Sequence, residues 1–163
     1  MNENDKAYIG CFLDTDGTIT LINQINKGKL YFKPKLIFYN GEEWDILYYI
    51  KSLCNSKGNM TKAHYKYNGQ LGNSFRHEII GYKPVERILK DVYPYIHLKR
   101  KKKIAELLFE FFELHHYYRK SQHPYTRKGE KYEYPKRMFE IQEEISLLNR
   151  AKKFGGKGCK GIK

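Results

Sequence analysis

Cysteine is scarce and scattered in this chain. Cys11, Cys54 and Cys159 are the three present, widely spaced and without a Cys-x-x-Cys pair. That excludes a disulfide-stapled scaffold and a cysteine-based zinc or redox motif, and it points to a reducing compartment. Long apolar runs are missing too. The hydrophobic stretches are short and broken by charges, with no basic amphipathic segment standing apart, so neither a membrane span nor a surface anchor is expected. Residues 1–20 carry a helix-like pattern ending in acids instead of a basic region followed by an apolar core, which leaves no secretory signal or Arg-rich transit peptide. The expected setting is intracellular, whether cytoplasmic, nucleoid-associated or within an organelle, with no membrane partner. Negative charge is the last shortage: 18 Asp plus Glu face 31 Lys plus Arg, a formal charge of +13 over 163 residues. A polyanion is the expected partner, nucleic acid foremost.

No composition break divides the chain, so a single domain over 1–153 is expected, followed by a basic, Gly-rich tail at 154–163. Asn4 or Asp5 can cap a first helix that runs to about Asp14 and is apolar around much of its circumference through Ala7, Ile9, Gly10, Phe12 and Leu13. Residues 18–25 and 30–39 then alternate as half-buried strands around the turn Asn26-Lys27-Gly28-Lys29. A second helix is predicted over 42–54, where Trp44, Leu47, Ile50 and Leu53 recur at helical spacing. A second hairpin is predicted from 60–67 and 74–80 across the six-residue turn 68–73, with Lys62, His64, Lys66, Arg76 and Glu78 sharing its polar face. Helices at 84–93, 98–119 and 136–152 complete an α+β order, α-β-β-α-β-β-α with further C-terminal helices. A four-stranded antiparallel sheet with helices on one face leaves its other face open.

One segment stands out chemically. In Ile9-Gly10-Cys11-Phe12-Leu13-Asp14-Thr15-Asp16-Gly17 an apolar helix ends in two carboxylates, although acids at a helix C-terminus oppose the macrodipole. No second Asp-x-Asp-Gly occurs, so any site that uses it has one copy per chain. A calcium loop is excluded by its ends: with Gly17 as the loop glycine, the first ligand position falls on Phe12 and the closing one on Asn23. The histidines do not make a zinc site, because His115 and His116 point apart on a helix and no acid or cysteine joins them and His123 at ligand spacing.

The segment Ile9 to Gly17, with Phe12-Leu13-Asp14-x-Asp16-Gly17 the matching half, resembles the signature of LAGLIDADG homing endonucleases, and the element order is similar to that family's fold. A single motif in a short chain resembles the homodimeric members. Ile9, Gly10 and Cys11 depart from the family's Leu, Ala and Gly. The resemblance implies that Asp16 ligates metal, with the Thr15 main-chain carbonyl a second oxygen, and that Asp14 is structural. Such oxygen ligands suit Mg²⁺ or another divalent cation. It further implies a catalytic lysine at Lys99, in a Leu-Lys-x-Lys segment, and a polar pocket residue at Glu42, or Asn40 if the alignment slips. Ile9, Gly10 and Leu13 are expected at the homodimer contact. The implied activity is site-specific double-strand DNA cleavage in intron homing. The alternatives are an RNA-binding splicing cofactor acting on a host intron and a catalytically inactive DNA-binding regulator.

A two-stranded ribbon fits the major groove, where outward side chains reach base edges. The outward positions expected to touch double-stranded DNA are Thr18, Thr20, Ile22, Gln24 and Asn26 on the first strand, and Tyr31, Lys33, Lys35, Ile37 and Tyr39 on the second. The second hairpin is expected to add Lys62, His64, Lys66, Arg76 and Glu78.

Overall fold

A computed structural model describes residues 1–41, 43–67, 70–122 and 134–154. The first helix, α1, spans Glu3–Thr15. Its cap is Asn2, two or three residues earlier than expected, because Asn2 and Asp5 form a reciprocal capping box: Asp5 N donates to Asn2 Oδ1 at 2.8 Å and Asn2 N donates to Asp5 Oδ2 at 3.0 Å. Strands β1 (Gly17–Asn26) and β2 (Lys29–Asn40) follow, joined by Lys27-Gly28. Both turn residues have positive φ, 49° and 73°, the geometry that lets a two-residue hairpin match strand twist. Helix α2 (Asp45–Leu53), strands β3 (Asn59–Tyr67) and β4 (Gln70–Ile80), helix α3 (Tyr82–Val92), a 3-10 turn at Tyr93–Tyr95, and helices α4 (Lys99–Gln122) and α5 (Lys136–Phe154) complete the order.

The strands form one antiparallel sheet in the order β1-β2-β4-β3. Its inner face carries Ile19, Leu21, Phe32, Leu36, Phe38, Phe75 and Ile79, all nearly or fully buried under the helices. Each full burial of this kind is worth roughly 1.5–3 kcal/mol, so the alternation decides which face is covered. The expected α+β architecture is what the chain adopts. Helix α5 packs along β1, where Asn149 Nδ2 donates to the Ile19 carbonyl at 3.0 Å. It is tied to α4 by Arg137, which binds both carboxylate oxygens of Glu110 at 2.6 and 2.9 Å and reaches Glu144 at 2.7 Å. Those hydrogen bonds hold the Glu110 carboxyl below its ordinary range.

The first hairpin has the expected facing. The second does not. Strand β4 begins at Gln70, so the connection is two residues long rather than six, and Tyr67 pairs with Gln70. The pairing is shifted by four positions, since a turn over 68–73 would set Tyr67 against Ser74, and an even shift leaves each side chain on its own face. At either turn length odd positions of β3 meet even positions of β4, and here Thr61 is the partner of Arg76, and Asn59 of Glu78, on the outer face. Lys62 pairs with Phe75, holding its ammonium 5.5 Å from that ring's centroid, and His64 and Lys66 occupy register positions of the same parity. Lys62 thus does not share a face with Arg76 and Glu78, and the side chains of His64 and Lys66 lie outside the described residues.

The expected dimer contact also needs correction. Ile9 and Leu13 are fully buried in this chain's own core, and Gly10 faces the 3-10 turn, where an added Cβ would lie 2.6 Å from Tyr95 Cβ. An apolar helix end is wrapped by its own fold here. The exposed stripe of α1 is instead Asn4, Tyr8, Cys11 and Thr15, at helical spacing. Among the described residues no helix is long and apolar enough to cross a membrane. The tail beyond Phe154 lies outside the described residues.

Candidate functional site

The turn that ends α1 brings three elements together. Asp14 Oδ2 accepts hydrogen bonds from His97 N at 2.6 Å and Leu98 N at 3.2 Å, the two residues that lead into α4. Those amides lie at the positive end of the α4 dipole, so a carboxylate there is favourable. Asp14 thus holds the main chain that leads into α4. Asp16 is the C-cap of α1: its N–H donates to the Phe12 carbonyl at 3.0 Å and its own carbonyl accepts from Tyr39 N at 3.1 Å. Its main chain is thus anchored at both ends. Its carboxylate is exposed and makes no hydrogen bond or ion pair among the described residues.

Lys101 is the third element, and the sequence reading missed it. Its side chain is 1% exposed, and Nζ donates to the Leu13 carbonyl at 2.7 Å and to the Gly17 carbonyl. A cation on the last turn of α1 offsets the opposition between the helix dipole and the two carboxylates. Lys99, the lysine expected there, is the exposed first residue of α4. Two positions along a helix turn a side chain by about 200°, so only one lysine of the Leu-Lys-x-Lys segment can face the motif. The missed signal was periodicity, since Lys101 stands in one stripe with buried Ile104, Ala105 and Leu108.

Thr15 ends α1 with its hydroxyl turned back on the Cys11 and Phe12 carbonyls, each at 3.3 Å. That leaves its main-chain oxygen as the group it could offer a metal. Glu42 lies outside the described residues. Asn40, the alternative, is the last residue of β2 and accepts from Glu43 N at 3.2 Å. An exposed, unpartnered carboxylate and a main-chain carbonyl are hard oxygen donors that suit Mg²⁺. Among the described residues no three His, Cys, Asp or Glu side chains cluster as a metal site, so further ligands at Asp16 must come from elsewhere.

The outer face of the sheet begins beside this turn. Thr18, Thr20 and Ile22 are half-buried, Gln24 and Asn26 exposed, and across from them Tyr31 is exposed while Lys33, Lys35 and Tyr39 are half-buried. Ile37 has the expected parity but is 9% exposed between Thr18 and Glu78, too covered to offer a thymine methyl a contact. Lys35 Nζ lies 3.4 Å from Glu78 Oε2, and Arg76 Nε lies 3.5 Å from Glu78 Oε1. Burial pushes the Tyr39 phenol up, against the opposing effect of the Arg76 charge. Thr61 and Asn59 complete this face, because odd positions of β3 pair with even positions of β4.

No family model matches the chain, and no curated protein does. Solved structures do. The homing endonuclease I-TnaI superposes with a TM-score of 0.63 at 11% identity, over 94% of this chain and 97% of that one. I-CvuI, a homing endonuclease solved with its target in the presence of Ca, gives 0.61 at 16% identity over 99% and 90%. I-LtrWI, a LAGLIDADG homing endonuclease bound to target DNA, gives 0.61 at 13% identity and covers 99% of this chain, which spans only 52% of that one. The chain has the fold of the LAGLIDADG homing endonucleases.

Proposed function

We propose that this chain is a site-specific DNA endonuclease that cuts both strands with a divalent cation, Mg²⁺ or another, and works as a homodimer. The observation that carries the reading is the Asp16 carboxylate, exposed and without a partner, held by an anchored main chain at the rim of an open sheet face in a protein of charge +13. A carboxylate at the C-terminus of a helix opposes the macrodipole, and a divalent cation held there would offset its charge. A bound divalent cation would neutralise charge on the scissile phosphate and lower the pKa of an attacking water. Asp16 and the Thr15 carbonyl would hold it. Lys101 positions that turn and adds positive charge behind it, while Lys99, facing solvent, suits a phosphate contact. The outer face lies in the major groove, and the lysine-rich surface binds phosphates with strong salt dependence.

The dimer follows from arithmetic on the site. One Asp16 per chain serves one strand, and among the described residues no three His, Cys, Asp or Glu side chains gather to complete a site. A second copy supplies the other half. The contact we propose is the exposed stripe of α1 at Tyr8, Cys11 and Thr15, extended by Tyr49, whose ring packs edge-on against Tyr8 at 5.6 Å. The match of the whole chain to about half of I-LtrWI is in keeping with two such units acting together. The test is to incubate the protein with a duplex carrying a candidate intron-insertion sequence and Mg²⁺, and to map the ends. Paired cuts at one position that vanish with EDTA are expected. Sequence-specific binding without cleavage, or tighter binding to intron RNA than to duplex DNA, would replace the enzyme with the regulator or the splicing cofactor.

A further inference from the structure

Lys35, Glu78 and Arg76 form a chain of charges across the middle strands β2 and β4 of the outer face. Glu78 is engaged from both sides and its side chain is 11% exposed, as against 17% for Lys35 and 41% for Arg76. Arg76 is further held by Thr61, whose Oγ1 accepts from Arg76 Nε at 2.7 Å across the β3–β4 pair. The protein therefore grips one edge of the guanidinium. The opposite edge, with its two terminal nitrogens, has no partner among the described residues.

A planar guanidinium fixed at Nε presents its terminal N–H groups as a fork, and that fork matches O6 and N7 of guanine in the major groove. Phosphate oxygens would accept the same fork, so position decides between them. Arg76 lies on β4, an interior strand, at the centre of the face rather than at its margin. A sheet seated in the groove meets base edges with its centre and backbone phosphates with its rims. Arg76 is also the cross-strand partner of Tyr39, whose N–H binds the Asp16 carbonyl. Its row is the one level with the candidate catalytic turn.

Resting on the DNA-cleaving reading above, we propose that Arg76 reads a guanine in each half-site, at a base pair close to the bond that is cut, and that Glu78 and Thr61 are its positioning residues. Glu78 removes the free rotation that would let the fork wander, and Lys35 holds Glu78 in turn. An isolated arginine on an open sheet would have to be ordered at the moment of binding, whereas this one is ordered beforehand.

The experiment is selection from a library of randomised DNA duplexes in Ca²⁺, comparing the full-length chain with Arg76→Lys, Arg76→Gln and Glu78→Gln. The unaltered protein should enrich a two-fold symmetric sequence with guanine at one position close to the cut in each half. Arg76→Lys should reduce discrimination there from about tenfold or more to about twofold, leaving the other positions unchanged. Arg76→Gln should exchange guanine for adenine at the same position, since a Gln amide pairs with adenine N6 and N7. That gain of a new preference is an outcome no misfolded protein can produce. Glu78→Gln should blur the guanine preference without creating another. If the three variants keep the guanine preference, or weaken binding equally on every sequence, Arg76 is a phosphate contact or a bystander and this inference fails while the DNA reading stands. If the unaltered protein enriches nothing, both fail together.

Discussion

At the turn that ends α1, side chains hold main chain: Lys101 grips the Leu13 and Gly17 carbonyls, and Asp14 grips the amides of His97 and Leu98. Across the outer face of the sheet, side chains hold one another, as Lys35, Glu78, Arg76 and Thr61 do, or stand exposed, as Gln24, Asn26 and Tyr31 do. The contrast separates two kinds of burden. A group that must be placed to a fraction of an ångström is wired to the backbone of several elements, and altering its supports disturbs the fold as well as the chemistry. A face that reads a polymer carries side chains that can be exchanged one by one, because the sheet beneath is set by its inner residues. Substitutions at the turn should therefore change rate or stability. Those on the face should change recognition.

The largest effect should come from Asp16→Asn. It keeps the shape of the turn but weakens cation binding, so cleavage should fall by about a hundredfold or more while duplex binding stays within about twofold. Gel-based cleavage and binding assays on the same protein check both arms, and parallel loss of binding would break the separation. Cys11→Arg is next. It places a charge on the exposed stripe of α1 and should leave the fold within about 0.5 kcal/mol while sedimentation shows a monomer that no longer cuts both strands. A dimer unaffected by that arginine would sink the α1 contact.

Lys101→Met removes the ammonium from two main-chain carbonyls, and at roughly 1–3 kcal/mol for each buried group left unpaired it should cost about 2–6 kcal/mol by urea unfolding, besides slowing cleavage. Lys99→Met should change stability by less than about 0.5 kcal/mol, and equal costs for the two would contradict their opposed facings. Asp14→Ala removes two hydrogen bonds from a charged acceptor to the amides that lead into α4 and should cost about 1.5–3 kcal/mol. The smallest effect belongs to pH. His77 is fully buried on the inner face, with Nε2 at 2.9 Å from Ser56 Oγ, and burial pushes its pKa below the ordinary 6.5 despite its hydrogen bond to the Asn59 carbonyl. The unfolded chain binds the proton more readily, so stability is complete above pH 6.5 and declines as pH falls toward the depressed folded value. Melting curves should show that decline, and His77→Phe should flatten it.

Much of the fold was legible because its causes are local. The alternation 18–25 and 30–39 around Lys27-Gly28 names the inner face of the first hairpin, and the turn's chemistry sets its register. The second hairpin was misread because Gly72 and Asn73 look like turn residues yet lie within β4. A strand paired on its edge overrides the weak preference of single residues. The facing was misjudged separately, since odd positions of β3 meet even positions of β4 at either turn length, which makes Thr61 and Asn59, and not Lys62, the neighbours of Arg76 and Glu78. The site was half legible for a related reason. Asp14 and Asp16 could be named from their motif, but which lysine meets them depends on where α4 begins, and Asp14 itself holds the residues that lead into it from a distant part of the chain.

By itself the sequence determined the charge of +13, the order of helices and strands, the covered face of the first hairpin and the presence of one acidic motif at a helix end. These depend on composition and on periods of two and 3.6 residues, which neighbours along the chain express without help. The tertiary structure alone decided that Ile9, Gly10 and Leu13 face inward, that Cys11 and Tyr8 face out, and that Lys101 rather than Lys99 closes the turn. Each of those outcomes depends on contacts between residues about 80 or more positions apart, Gly10 with Tyr95 and Leu13 with Lys101 among them. No local pattern encodes such a meeting, because it exists only once the helices have packed onto the sheet.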